Sequence, residues 1–439
     1  MSKLPLITAI DLGTDKCVTL IAAGNAQTGQ LEILGVSAVP SAGIRRSNIV
    51  DLEAAIATVA KSVEGAERMS GKKIRSAYVS LGGAHIGSQN SRGVVAVSSP
   101  NQEISRDDLE RVIESAKAVS VPTERSILHV IPKDFRIDSQ GGIKDPLGMT
   151  GIRLESEAHI VTALQVALKN LEKCLHDLGI GVDGFVFSGL ASGELIATET
   201  EKELGVAVLD IGAGTSSLCV YVDGSLDYSA SLPIGARHIT QDIALGCRIS
   251  IEAAEKIKTF LATEDIGTPL PKPGESKDDL AKRRKRADLL NPQDLGITES
   301  IGELSKKTII EGIMFPRVKE IFHLLGKELQ DQDLFPMIPA GIIITGGGAE
   351  TVGISEMAKK TLRLPIRIGQ PPQLPGLTAD LLRPTFATSI GLIEYGWKQG
   401  GGTTEETSFT LPSMPGLPSG FSANKIFSGV HKLIKSILP

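Results

Sequence analysis

Ile10-Asp11-Leu12-Gly13-Thr14-Asp15-Lys16 stands near the start of the chain, and Leu209-Asp210-Ile211-Gly212-Ala213-Gly214-Thr215 near its middle. Each is an apolar strand that runs into an aspartate and then a glycine turn. Such a turn offers a triphosphate two things at once: backbone N–H donors for its oxygens and a carboxylate for its magnesium. A single Asp-x-Gly turn is usually an ordinary hairpin; two copies, each at the end of the first strand of a duplicated unit, predict a clamp closed by pseudo-twofold packing.

The duplication extends outward from the turns. Leu6–Ala23 reads as strand, turn and strand, followed by a strand over Leu31–Val39, all rich in Ile, Val and Leu. The second copy repeats this meander over Gly205–Asp210, Ser217–Val222 and Leu226–Leu232, with Asp223-Gly224 at a turn. Between the copies, helical spacing covers Leu52–Met69 and Gln165–Leu178, and strands are expected over Ser76–Gly82 and Gly184–Gly189. One helix is expected over Ser192–Leu204, and another begins near Ser105, whose hydroxyl can cap it with Asp107 and Asp108 in the first turn. Residues 84–162 read as a small inserted unit, with Leu128–Thr162 broken by glycines into short strands. From Ser250 to Leu329 the pattern turns helical and charged, and the basic run Lys282–Arg286 reads as a solvated helix face. A β-branched strand, Ala340–Thr345, feeds a third turn, Gly346-Gly347-Gly348. Leu364–Gly369 is one more strand, and Phe386–Gly396 a closing helix of small and apolar residues.

Length and composition set the frame. At 439 residues the chain exceeds the ~250–300 residues at which single cores stop growing, so a two-lobed α/β protein is expected. A net charge of −5 argues against general nucleic-acid binding, which needs a basic surface to displace counterions. Cys17, Cys174, Cys219 and Cys247 show neither C-x-x-C pairing nor metal-ligand spacing, which points to reduced thiols. With no signal-peptide core and no run long enough to span a bilayer, the expected compartment is the cytoplasm.

The candidate site follows from the turns. Gly13, Thr14, Asp15 and Lys16 in the first, with Gly212, Ala213, Gly214 and Thr215 in the second, are the expected phosphate contacts. Asp11 and Asp210 are expected to hold magnesium through its waters, and Asp210 to orient an attacking water. Gly346, Gly347 and Gly348 let the backbone approach a flat ring or a phosphate. Glu255 and Lys258, three apart on one helix face, can bracket a ribose and an adenine edge or simply pair with each other in solvent. No Ser-His-Asp, Cys-His or H-E-x-x-H constellation is present.

The C-terminus has a different character. After Trp397 a Gly- and Pro-rich linker leads to Asn424, where Ile426, Phe427, Val430, Leu433, Ile434, Ile437 and Leu438 recur at helical spacing with Lys425, Lys432 and Lys435 between them. At ~1.5 Å per residue such a helix is ~22 Å long, too short to cross a ~30 Å hydrocarbon core but suited to lie on an anionic surface. Each lysine adds roughly 1 kcal/mol there.

These elements resemble the signature of the actin-like ATPase superfamily. Ile7–Cys17 and Val206–Ser217 resemble its two phosphate loops, Gly341–Glu350 its adenosine loop, and Phe187–Ala197 and Phe386–Gly396 its two hinge helices. Within it the chain resembles the FtsA family of bacterial division proteins, through Leu128-His129-Val130-Ile131-Pro132, Gly142–Met149, Ser188-Gly189-Leu190-Ala191-Ser192 and the C-terminal helix.

The resemblance implies subdomain 1A over residues 1–83 and 163–204, closed by 385–397, and the family-specific 1C over 84–162. It implies 2A over 205–249 and 336–384, 2B over 250–335, a linker over 398–423 and a membrane helix over 424–439. It further implies ATP with Mg2+ as cofactor, self-assembly into filaments, and a place on the cytoplasmic face of the membrane at the division site. Expected partners are the FtsZ C-terminal tail, anionic lipid and, through 1C, later division proteins.

Phe315–Glu320 resembles the tail-contacting stretch, which makes Arg317 and Glu320 candidate partner residues. Two departures stand out. Pro271–Pro292 looks inserted relative to shorter members. Ser188, Gly189, Ser192 and Gly193 stand where relatives place a water-positioning Gln or Glu, leaving Glu194 as the only nearby carboxylate, so hydrolysis is expected to be slow or absent. The competing readings are a pilus-assembly ATPase of related fold and a kinase of the same superfamily, the latter lacking any catalytic base here.

Overall fold

The computed structural model describes residues 6–25, 30–263, 270–273, 275–299, 302–376 and 378–400. The C-terminal segment read above as a membrane helix lies outside them. No described helix is long and apolar enough to cross a membrane.

The chain starts as an antiparallel meander, β1 (Leu6–Leu12), β2 (Lys16–Asn25) and β3 (Gln30–Pro40). A two-residue hairpin, β4 (Ile44–Arg45) and β5 (Asn48–Ile49), then leads to α1 (Leu52–Ser70). Asp51 caps α1 by accepting from the Ala54 N–H, a contact worth ~1 kcal/mol. The helix buries Ala55, Val59 and Ala66 against the sheet and ends at Gly71, whose φ of 66° favours glycine. β6 (Ser76–Leu81) then pairs parallel to β1.

The inserted unit consists of β7 (Gly87–Ala96), α2 (Arg106–Lys117), β8 (Arg125–Ile137), β9 (Gln140–Ile143) and β10 (Arg153–Leu164), in sheet order β7-β10-β8-β9. Ser105 and Asp108 form the capping box of α2. The expectation of short strands here is corrected: β8 and β10 run 13 and 12 residues as one antiparallel pair. Gly141 and Gly142 fall in the short β9 and Gly148 in the loop after it, so they interrupt neither long strand. On its other side this unit touches the second lobe through polar groups. The Lys133 ammonium pairs with Asp227, and the buried His159 is bracketed by Asn90 and Ser229 at 2.7 and 2.8 Å.

α3 (Gln165–His176) returns the chain to the first sheet, where β11 (Gly181–Phe187) lies parallel to β6. The single helix expected over Ser192–Leu204 is in fact two, α4 (Ser188–Ile196) and α5 (Glu199–Leu204). Thr198 starts the second by forming a new capping box with Glu201.

The second lobe has β12 (Val206–Ile211), β13 (Ser216–Val222), β14 (Ser225–Leu232), α6 (Arg237–Cys247) and α7 (Ile251–Thr263). The exposed α8 (Lys277–Asp288) and the short pair β15 (Leu289–Leu290) and β16 (Leu304–Ser305) follow. A wide turn of helix over Thr308–Met314 runs into α9 (Phe315–Asp331), and then come β17 (Ile342–Thr345), α10 (Ile354–Leu362), β18 (Ile366–Ile368) and α11 (Ala387–Lys398).

The two five-stranded sheets have the same plan, β3-β2-β1-β6-β11 and β14-β13-β12-β17-β18. In both, the aspartate-bearing strand sits at the centre, antiparallel to its meander and parallel to its crossover partner. The first sheet and one face of the second (Val206, Val208, Cys219, Tyr221, Ile343) share one core, and the other face of the second sheet packs in its own. α4 and α11 join them, packed so closely that a Cβ on Gly391 would run into the Ala191 carbonyl.

Candidate functional site

Both aspartates leave the centres of their sheets toward the same junction. The turns behind them are built alike: the Gly13 N–H donates to the Lys16 carbonyl at 3.0 Å and the Gly212 N–H to the Thr215 carbonyl at 2.9 Å. A Cβ at either glycine would lie 3.0 Å from that same carbonyl, so both positions favour glycine. The turns face each other, with Thr14 packed against Gly214. The space between their tips is bridged by Ser47, whose N–H donates to Thr14 Oγ1 at 3.0 Å and whose hydroxyl meets Thr215 Oγ1 at 3.0 Å.

Adjacent residues of α11 hold the two carboxylates. Ser389 donates to Asp11 Oδ2 at 3.0 Å, and Thr388 to Asp210 Oδ2 at 2.6 Å. On the other side of Asp11, Ser80 of β6 donates to Oδ1 at 2.7 Å. Asp210 is buried, and this burial pushes its carboxyl up to about 6; the Asp11 charge acts in the same direction, while hydroxyls from Thr388 and Ser192 act against it. A buried, partly neutralised carboxylate facing a second carboxylate is an arrangement that a divalent cation satisfies. Among the described residues no cluster of three or more His, Cys, Asp or Glu could hold a metal. Two carboxylates are what a cation such as magnesium could use, since it draws most of its ligands from water and phosphate.

The third turn closes the other end of the second one. Gly346 has φ 80°, and a Cβ there would collide with Asp210 Oδ1 and the Ile211 carbonyl. Gly347 approaches Thr385, whose hydroxyl accepts from Lys16 Nζ at 2.7 Å, so the first and third turns meet at one side chain. Lys16 also lies 3.8 Å above the Phe386 ring, and desolvation pulls its ammonium down despite Asp11, Glu350 and Asp15 nearby. Arg383 pairs with Glu350 beside it.

Glu255 and Lys258 share a face and close on each other at 2.7 Å and on Thr240 at 2.6 and 2.9 Å, in the first turn of α6, where the Ala236 and Arg237 N–H groups donate to the Gly212 and Ala213 carbonyls of the second turn. Glu194 does not aim at the clamp. Its carboxylate takes the buried Lys202 ammonium at 2.9 Å, because that ammonium, desolvated against Tyr221, needs a counter-charge. Arg317 of α9 is held by both oxygens of Asp242, at 2.6 and 2.9 Å, and also pairs with Glu320.

Ser47, Ser80, Thr385, Thr388 and Ser389 were not singled out from the sequence. Ser80 carried a signal, as the lone serine in the buried run Ala77–Leu81, and so did Thr388-Ser389 within an apolar helix. Nothing marked Ser47.

Comparison with known proteins adds the following. A family model described as "Cell division protein FtsA" matches residues 207–391, and one described as "SHS2 domain inserted in FTSA" matches residues 83–162. The chain is 38% identical over 394 residues to the cell division protein FtsA of Borreliella burgdorferi, covering 90% of this chain and 91% of that one. It is 35% identical over 391 residues to its Pseudomonas aeruginosa counterpart (89% of each), and 32% over 398 residues to that of Escherichia coli K12 (89% and 90%).

Among solved structures, a PilM-PilN type IV pilus biogenesis complex matches with TM-score 0.60 at 15% identity, over 90% of this chain and 99% of that one. MreB5 of Spiroplasma citri bound to ADP matches with TM-score 0.50 at 15% identity, over 90% and 97%. The fold is actin-like, two lobes with an inserted SHS2 unit.

Proposed function

The chain belongs to the FtsA family of cell division proteins, and on that footing we propose that it is an ATP-dependent, filament-forming adaptor that ties FtsZ filaments to the cytoplasmic face of the membrane at the division site. The observation that carries this reading is the junction where Asp11 and Asp210, one from each lobe, are held by adjacent residues of the same helix while their turns face each other. ATP is the nucleotide we assign to the clamp, with Gly13–Lys16 and Gly212–Thr215 on its phosphates and Gly346–Gly348 toward its base. Magnesium would be held by Asp11 and Asp210 through water, and its chemistry there is to neutralise the phosphate oxygens. Lys16, partly desolvated where it meets Thr385 and Phe386, would supply a further positive charge.

Hydrolysis is slow in this proposal. Ser188 turns its hydroxyl to Ser217 at 3.1 Å and Glu194 is committed to Lys202, which leaves Asp210, already bonded by Thr388, as the carboxylate that would orient an attacking water. The nucleotide then acts by closing the two lobes around α4 and α11 into the shape that assembles. We place the FtsZ tail on the helices of residues 301–329. Arg317 would engage an acidic tail by exchanging it for Asp242 and Glu320, a swap of like for like that costs little net charge pairing.

The C-terminal residues 424–439 supply the anchor. One such helix binds reversibly, and a filament carrying many of them binds stably by avidity. The test is co-sedimentation with anionic vesicles and ATP, comparing the full chain with a form ending at Lys398. Retention of the full chain alone is expected; equal pelleting of both would sink the anchor.

A further inference from the structure

We infer that the Ile44–Ile49 hairpin is a third phosphate-binding element, in which Ser47 and Arg46 bind the terminal phosphate of a nucleoside triphosphate and so distinguish it from a diphosphate. The inference rests on the nucleotide clamp proposed above and assigns the regulation of that same site.

The second turn has two ends. Gly346 lies against Asp210 and Ile211 at one, and Arg46 against Gly214 at the other, with its Cα 3.0 Å from where a Gly214 Cβ would stand. With the base assigned to the Gly346 end, the far end of a bound nucleotide points at the hairpin. There Ser47 is in contact with both turns through its N–H and its hydroxyl, at 3.0 Å each. Both groups can donate to an oxyanion between Thr14 and Thr215. Gly82 and Gly83 at the end of β6 leave room for the tip: a Cβ on the first would come within 3.4 Å of Ser47 Oγ, and one on the second within 3.3 Å of the Arg46 carbonyl.

Charge and backbone agree with this placement. Arg46 is exposed, and among the described residues its guanidinium has no carboxylate partner, which leaves it open to a phosphate. Arg46 and Ser47 have φ of 49° and 61°, so two consecutive non-glycine residues occupy the left-handed region. A tight two-residue hairpin favours Asn-Gly there, and the retained arginine and serine side chains hold a conformation that glycine would adopt without strain. The tip is anchored behind, since the Gly43 carbonyl accepts from the Val50 and Asp51 N–H groups at 2.8 and 3.1 Å at the start of α1.

The experiment titrates fluorescent ATP and ADP analogues, with magnesium, into the full-length chain and into Arg46→Ala, Arg46→Lys and Ser47→Ala. Hydrogen bonds to a charged group are strong enough that Arg46→Ala and Ser47→Ala should each lose roughly tenfold in ATP affinity. ADP affinity should stay within about twofold, and Arg46→Lys should recover part of the loss, since the charge is kept. An unchanged ATP-to-ADP ratio in the alanine variants overturns the proposal while leaving the clamp intact. So does an equal loss for both nucleotides, which is what a purely structural hairpin would give. A wild-type chain that binds neither nucleotide removes the clamp reading, and this proposal with it. Thermal melting of each variant separates lost contacts from lost fold.

Discussion

Asp11 and Asp210 end equivalent strands of equivalent sheets, yet their surroundings differ. Asp11 is half-buried and receives hydroxyls from Ser80 and Ser389 on its two oxygens. Asp210 is buried beneath the third turn, with Gly346 against one oxygen and Thr388 on the other, and its carboxyl is raised to about 6. The first turn also carries Lys16, where the second has Thr215 at the matching place. A duplicated motif has therefore become two different settings: a half-buried carboxylate with the Lys16 ammonium near it, and a buried carboxylate raised to about 6.

The largest effect should come from removing what makes the second turn different. Gly346→Ala puts a methyl onto Asp210 at a φ of 80° and should cost about 3–5 kcal/mol, read as a lower denaturation midpoint with nucleotide binding abolished. Gly13→Ala meets only its own turn's carbonyl and should cost less.

Asp210→Asn sharpens the contrast through pH. The folded carboxyl is raised from its ordinary 3.8 to about 6, so the folded state holds the proton over that interval while the unfolded chain has lost it. Stability is therefore lost as pH rises from about 4 to 6 and stays lost above. The asparagine variant, without nucleotide, should melt higher than wild type at pH 8, by an amount equivalent to about 2 kcal/mol, and the advantage should fade as pH drops below 5. It should also lose magnesium-dependent nucleotide binding, a trade of stability against function. Equal stability of Asp210→Asn and wild type from pH 5 to pH 8 would break the contrast.

Lys16→Thr makes the first turn like the second at that position. Calorimetric titration should show nucleotide affinity down by roughly tenfold, the loss of one charge-assisted contact, and no change would assign Lys16 to packing on Phe386 alone. The smallest effect is expected at Lys258→Ala, whose ammonium closes a triad with Glu255 and Thr240. A partly exposed pair of this kind contributes ~0.5 kcal/mol, a change of about twofold in affinity at most.

The central strands, the three glycine turns, the duplicated meander and the closing helix were legible because each is written locally, as period and punctuation. The inserted unit was misread in detail because glycines in a connection look like glycines that break a strand. Glu194 looked available because it follows the hinge serines in sequence; Lys202, reached only after the chain turns at Thr198, takes its carboxylate. Ser80, Thr388 and Ser389 left faint traces as hydroxyls on apolar faces, whereas Ser47 left none, since a serine in a polar loop is the commonest of residues.

The sequence by itself determined that two Asp-Gly turns end the central strands of two similar sheets, because hydrophobic period and glycine spacing act within a few residues. Only the tertiary structure decided that α11 holds both aspartates, that burial raises the Asp210 carboxyl, and that a distant hairpin bridges their turns. Those outcomes depend on which surfaces meet, and desolvation and hydrogen bonding between residues hundreds of positions apart exist only once they do.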